Sequence, residues 1–407
     1  MLPWIDSELE SRWRRLHEIL QHNEKFWRPQ AFTYLKMSWE SEHAALVQQL
    51  RKLSLPQAEQ LASDDIALAD FLSEFIPDAI AVAQATAVPK LSTRPVANFA
   101  NAERAVPGRK WQQIIEFISA LPGNKNSTLE WCAGKAHLGR AVARAQQCHV
   151  TALEWNAELI ADGRRLAQHE NLPLTFQKID VMSAQAINFI SAEQRVIALH
   201  ACGDLHTQLL RGCAQRKPDS IALAPCCYHL TQEHLYKPLS QYALQHSDFY
   251  LMRDDLRTAV QGSVTSPPRV QQQRKLLQAW RLGFDLLQRE LRGIDEYWVT
   301  PSFPVSVLQQ GFAAFCRQLA AIKKLELSAS INFSFYENAG SERLREVTAL
   351  DLPRLLFRRA LEVWLALDRA LYLREFNYAV ELGVFCPRQL TPRNLLIRAR
   401  YLGLAST

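Results

Sequence analysis

No stretch of this 407-residue chain approaches the roughly 18 uninterrupted apolar residues of a membrane-spanning helix, so no span is expected. The start, Met1-Leu2-Pro3-Trp4 followed by Asp6 and Glu8, lacks the basic region and apolar core of a secretory signal. A cytoplasmic location is therefore expected. The eight cysteines are too few over this length for a disulfide framework, which leaves them as core residues or as chemistry in a reducing compartment. Internal repeats and low-complexity tracts are missing. Also missing is the dense Lys/Arg stripe of a dedicated nucleic-acid binder: net charge is +6, unevenly spread, with 10 basic and 13 acidic side chains in residues 1–100 against 14 and 9 in residues 301–407. A moderately basic carboxyl-terminal part is compatible with an anionic partner such as RNA.

What is present is ordinary globular composition, 48% hydrophobic and 22% charged, over a length that implies two or three domains. Residues 1–86 read as a helical region whose Trp4, Trp13, Trp27 and Trp39 form an aromatic packing core. Residues 87–107, with Pro89, Pro95 and Pro107, read as a linker lying against the core. Arg109-Lys110-Trp111 opens an amphipathic helix through Leu121 with Ile114, Ile115 and Ile118 on one face, expected to precede a sheet and close over a ligand. Strand-like runs begin near Thr128, His149, Leu174, Arg195 and Ser220. Helical stretches such as Asn156 to Glu170 alternate with them, so 108–265 reads as βα units in a parallel sheet, and 266–407 as a helical, basic extension completing the core.

Ligands of such a sheet sit beyond the carboxyl ends of its strands. The first end, Glu130-Trp131-Cys132-Ala133-Gly134-Lys135-Ala136-His137-Leu138-Gly139, turns on glycine and opens a helix. Gly134 and Gly139 let the backbone approach a ligand, and Glu130 suits a cofactor carrying an amino group. The phosphate-binding alternatives fit worse, because Arg140 stands where a P-loop needs Lys and Ala136 where a dinucleotide turn needs Gly. S-adenosylmethionine is the expected cofactor. Glu154, followed by Trp155, ends the second run and suits two ribose hydroxyls; Asp180 ends the third and suits an adenine amino group, with the Val181 amide meeting a ring nitrogen. Strand-end carboxylates also cap helices, but three in register with one glycine turn agree on a cofactor site. The fourth and fifth runs lead into His200-Ala201-Cys202-Gly203-Asp204-Leu205 and Pro225-Cys226-Cys227-Tyr228-His229. His200 is expected beside the cofactor.

The set CAGKxxxGR (Cys132 to Arg140), HACGDL (His200 to Leu205) and PCCYHL (Pro225 to Leu230) resembles the methyltransferase-like 25 family and its relatives, whose Rossmann-type methyltransferase domain also occurs in the glutathione-S-transferase-C-terminal-domain-containing protein. It is similar, more distantly, to the tRNA 2′-O-methyltransferases of the acceptor stem. Leu367 to Glu375, Phe385-Cys386-Pro387 and Thr391 to Asn394 look like the carboxyl-terminal part of the first family, so the likeness covers about 108 to 404. Cys386 stands where that family has Asp, and Ala136 where it usually has Gly. The resemblance implies a class I S-adenosylmethionine methyltransferase core.

Methyl transfer to oxygen or nitrogen needs alignment and a base or polar acceptor near the attacking atom. His200, Asp204 and His229 are candidates, and His200 reads equally as a strand-end imidazole bonded to backbone. Cys226 and Cys227 admit three readings: a nucleophile, packing where strand meets loop, or a metal site with Cys202 and His229. Adjacent cysteines chelate poorly compared with C-x₂-C, so no metal is expected. The expected acceptor is RNA, tRNA or rRNA, with Arg354, Arg358, Arg359, Arg369, Arg374, Arg393, Arg398 and Arg400 divided between phosphate contacts and ion pairs. Protein methylation, or a non-catalytic scaffold, is the alternative.

Overall fold

The computed structural model describes residues 3–96, 106–121, 127–261 and 267–403. Eight strands form one sheet: β1 (Trp4–Ile5), β2 (Thr128–Glu130), β3 (Val150–Glu154), β4 (Leu174–Lys178), β5 (Arg195–Cys202), β6 (Ser220–Cys226), β7 (Tyr378–Val384) and β8 (Leu395–Tyr401), in the order β1-β7-β8-β6-β5-β2-β3-β4. The run β4-β3-β2-β5-β6 is parallel. β6 is buried along its whole length, as a strand covered on both faces must be, and its apolar run is continuous rather than alternating. Sequence order reverses between β2 and β5, so the switch point lies at the end of β2. The mixed α/β sheet and its crossover helices Ala157–His169 and Asp204–Arg216 agree with the expected Rossmann-like class.

Helix Gly108–Ala120 buries Ile114, Phe117 and Ile118 in the core under the sheet. Only residues 87–96, 106 and 107 of the expected linker are described. There Leu91 is buried, its N–H donating to Val384 O at 3.0 Å.

The expected linear division into four segments is corrected, because the chain folds as two interleaved units: residues 1–22, 84–261 and 358–407 in one, 23–83 and 262–357 in the other. The expected boundary at 265/266 lies outside the described residues. The helical region 1–86 divides because helix Asp6–His22 packs on helix Arg358–Glu375, Trp13 lying 5.3 Å from Trp364 between ring centroids. In the same unit Arg374 donates to Asp6 O at 2.9 Å. The four tryptophans are all buried, two in each unit. The expected helical extension divides as well: its last part supplies β7 and β8, with β8 antiparallel to both β6 and β7. The charges that make Leu395–Tyr401 look basic are matched across the ladder, Arg398 pairing in register with Glu381 at 2.9 Å.

In the second unit helices Pro268–Arg292 and Phe333–Leu350 pack closely, around Trp280, Phe284, Phe312 and Phe315.

Candidate active site

The turn after β2 is built from left-handed backbone: Cys132, Gly134 and Ala136 have φ of 58°, 58° and 51°. Two of these carry a Cβ, a conformation costing each on the order of 1–2 kcal/mol. Ala136 therefore adopts the conformation in which a glycine is usual. Gly139 is required for a different reason, since a Cβ there would lie 2.4 Å from Glu130 Oε2 and 3.0 Å from Val150 Cγ1. A Cβ on Gly134 would meet nothing within 4 Å, so the turn borders open space at that point.

Three carboxylates stand at the ends of β2 and β3 and just beyond β4, and each already has work within the fold. Glu130 Oε2 accepts from Gly139 N at 2.9 Å. Burial pushes the carboxyl up to about 8, against the pull of that N–H, Lys110 and Arg140. Glu154 Oε2 accepts from Gly134 N at 2.8 Å, and its Oε1 from Trp155 N at 3.0 Å and Asn156 N at 2.9 Å. It thus ties the glycine turn to the start of the next helix, while Trp155 beside it is 71% exposed. Asp180 Oδ1 accepts from Met182 N at 2.9 Å, and Val181 is buried. Half-buried Cys132 has its thiol pushed up to about 12 by loss of solvation and by Glu154; it and Ala133, whose N–H donates to Leu153 O at 2.9 Å, are backbone of the turn. Arg140, the position that argued against a P-loop, pairs with Glu170 and contacts His137 Nδ1 at 2.7 Å.

β5 and β6 end side by side. His200 has φ 65°, the register shifts between Leu199 and Cys202, and Cys202 pairs in register with Cys226. Gly203, at φ 55°, would place a Cβ 1.9 Å from Leu230 O, so the two turns touch backbone to backbone. Asp204 fastens them, its N–H donating to Leu230 O at 3.0 Å and its Oδ2 accepting from Gln232 N at 2.9 Å. The candidate base Asp204 is thereby a clamp between loops. His200 Nε2 lies 3.0 Å from Gln113 Oε1, and burial plus the nearby Arg393 charge lowers its pKa to about 4. It is a neutral imidazole at pH 7, as acceptor-proton removal requires. His229 is half-buried with its Nδ1 lacking a partner; burial, Arg257 and Arg393 lower its pKa.

The sulfurs of Cys202, Cys226 and Cys227 converge within 4.8 Å of one another, with 3.4 Å between the first two. Hydrogen bonding from Cys202 and Cys226 holds the Cys227 thiol well below its ordinary range, while the hydrogen bonds of Cys226 with Cys202 and Cys227 push Cys226 above it. Tyr228 between them is fully buried, edge-on to His206 and 5.0 Å under the Arg369 guanidinium.

Gln113 and Lys110, on the helix before the sheet, belong to this rim and were not among the sequence candidates. A polar residue on an amphipathic helix gives no sign of its tertiary neighbour. Of the carboxyl-terminal arginines, five are taken up by pairing within their own units: Arg354 with Asp351 at 2.6 Å, Arg359 with Glu362 and Asn394, Arg369 with Asp368 and Tyr236, Arg374 with Glu10, and Arg398 with Glu381. For Arg354 and Arg359 the partner is an acid one helical turn away.

Residues 109–234 match the family model described as a methyltransferase domain. This segment is a methyltransferase domain. The turn at Gly134 and the strand-end acceptors Glu154 and Asp180 fit S-adenosylmethionine, the methyl donor expected from the sequence. Solved structures similar to the chain include precorrin-6y C5,15-methyltransferase from Geobacter metallireducens (12% identity, 30% of this chain and 64% of that one, TM-score 0.25). Others are the tRNA (uracil-54, C5)-methyltransferase of Pyrococcus abyssi in complex with S-adenosyl-L-homocysteine (20%, 25% and 25%, 0.21) and TrmN from Thermus thermophilus (20%, 30% and 41%, 0.25). The chain thus spans less than two thirds of each of them, and the likeness is loose. No described helix is long and apolar enough to cross a membrane.

Proposed function

We propose that the protein transfers the methyl group of S-adenosylmethionine to RNA, tRNA or rRNA. When bound, the cofactor supplies a methyl carried on a sulfonium sulfur. Glu154 and Asp180 keep free acceptor capacity beyond their backbone bonds and would take the ribose hydroxyls and the adenine amino group, with the Trp155 face beside them. Glu130 and the Cys132 to Gly134 backbone would hold the amino-acid end. His200, fixed by Gln113, is the acceptor-side base, and His229 lines the same rim.

The observation that carries an anionic acceptor is the charge around the ends of β5 and β6. Lys110 and Arg393 both act on His200, and Arg257 and Arg393 on His229, so cations surround the place where the acceptor atom must arrive. Lys110 and Arg257 are exposed. Such charge raises the local concentration of a polyanion and positions it without reading its sequence. The test incubates purified protein and methyl-labelled S-adenosylmethionine with RNA from a strain deleted for this chain and, separately, with its proteins. Label in the tRNA or rRNA fraction, and a modified nucleoside missing from the deletion strain by mass spectrometry, are expected. Label confined to protein would overturn the reading.

A further inference from the structure

We propose that Cys202, Cys226 and Cys227 form a three-thiolate site for a zinc-class divalent cation at the rim of the methyltransferase domain. The sequence objection was that adjacent cysteines chelate poorly compared with C-x₂-C, and in a regular strand neighbouring side chains point to opposite faces. The backbone removes it. Cys226 is the last residue of β6, and Cys227 immediately after it has φ 48°, a left-handed step that breaks the alternation and leaves both sulfurs on one side. A second irregularity supplies the third sulfur: the register shift between Leu199 and Cys202, with His200 at φ 65°, sets Cys202 opposite Cys226.

The geometry suits a metal better than the alternatives. A zinc–sulfur distance of about 2.3 Å sets the sulfur–sulfur edge of a tetrahedron at about 3.8 Å. Cys202 and Cys226 stand 3.4 Å apart, and all three sulfurs lie within 4.8 Å, so a cation is accommodated by shifts of a few tenths of an ångström to about one. Sulfur–sulfur hydrogen bonds are weak and give little return for two left-handed non-glycine residues, whereas soft thiolates are the preferred partners of zinc. Among the described residues these three form a converging group of metal-ligand type. On binding, each thiol gives its proton to solvent as its sulfur bonds the cation, and three thiolates on a divalent ion carry one net negative charge beside the Arg393 guanidinium. Cys226 is buried while Cys202 and Cys227 are partly exposed, so the ion enters from the rim. Its fourth position is open there, the arrangement of a reactive rather than a purely structural zinc site. His229 Nδ1 has no partner but stands outside the converging set.

The test does not depend on the methyl acceptor. Full-length protein, purified under reducing conditions and reconstituted with zinc, is analysed for metal content and then titrated with cobalt(II), whose thiolate charge-transfer absorption reports sulfur ligands. We expect one metal per chain, loss of the charge-transfer band in Cys202→Ser and Cys227→Ser, and weakening of cobalt affinity by at least about 10–100-fold. Cys132→Ser should retain both metal and band. Circular dichroism and S-adenosylmethionine calorimetry establish that each variant is folded. Substoichiometric metal in folded wild-type protein, a band unchanged in the serine variants, or a Cys202–Cys226 disulfide under the same reducing conditions would overturn the site.

Discussion

Glu130→Gln should change how stability depends on pH, and the direction follows from the site. Glu130 is fully enclosed, and burial raises its pKa from 4.5 to about 8. A carboxyl with a folded pKa above its unfolded one takes up a proton on folding. Its contribution is most favourable below about pH 4.5 and is lost as pH rises through 8. Each unit is worth about 1.36 kcal/mol, so the window between those values amounts to on the order of 5 kcal/mol. The amide of Gln keeps a carbonyl oxygen for the Gly139 N–H, now 2.9 Å from Oε2, and has no proton to lose. Urea denaturation of both proteins at pH 5, 6.5 and 8 reads the difference directly. The half-buried His200 and His137, each lowered to about 4 chiefly by loss of solvation, add an opposite slope at acid pH that is common to both proteins and cancels. The variant should match the wild type near pH 5 and exceed it at pH 8. Parallel pH curves would mean that Glu130 is solvated or already ionised in the folded protein.

Gly139→Ala places a methyl against Glu130 Oε2 and should cost about 1–3 kcal/mol by overpacking, read by urea denaturation, with weaker cofactor binding by calorimetry. Asp368 accepts from Tyr236 Oη, Leu239 N, Ser240 N and Ser240 Oγ beside buried Arg369. Asp368→Ala leaves that cation uncompensated and should cost about 3–5 kcal/mol, so a change under about 1 kcal/mol in chemical denaturation would show that the pair carries little. In a salt titration of tRNA binding, Lys110→Ala or Arg257→Ala should shrink the log–log slope by about one each. Arg398→Ala, which removes bonds to Glu381, Ser92 O and Ala120 O, should lower thermal stability and leave the slope unchanged.

The parallel half of the sheet was legible because short β-branched or apolar runs alternate with helical stretches at a nearly constant interval. The starts read from Thr128, Leu174, Arg195 and Ser220 are the strand starts, and the run near His149 begins at Val150. β7 and β8 were not legible: Glu381 and Arg398 interrupt them, and they pair across the ladder with Arg398 also donating to Ser92 O and Ala120 O, partners distant in sequence. The same blindness split the amino-terminal helices wrongly, since nothing local to Trp13 names Trp364 as its neighbour. At the site, the glycine turn and the strand-end acids were readable as a set. That Glu154 also serves three backbone N–H groups, and that Asp204 serves as a clamp, depends on where the following loops fall. That the sulfurs of the adjacent Cys226 and Cys227 converge with that of Cys202 was not legible, because it depends on the left-handed backbone of Cys227 and the register shift in β5.

The antiparallel placement of β8 between β6 and β7 has a consequence for biosynthesis. The ribosome delivers β6, an entirely apolar strand, well before Leu395–Tyr401 exists to pair with its free edge, and more than 160 residues, including most of the second unit, are made in the interval. An unpaired apolar edge is a template for wrong partners, and pairings distant in sequence close slowly. The nascent chain should therefore hold β6 exposed until the last stretch leaves the exit tunnel, and chains terminated before Leu395 should aggregate or be captured by chaperones even though every residue of the methyltransferase domain is already present.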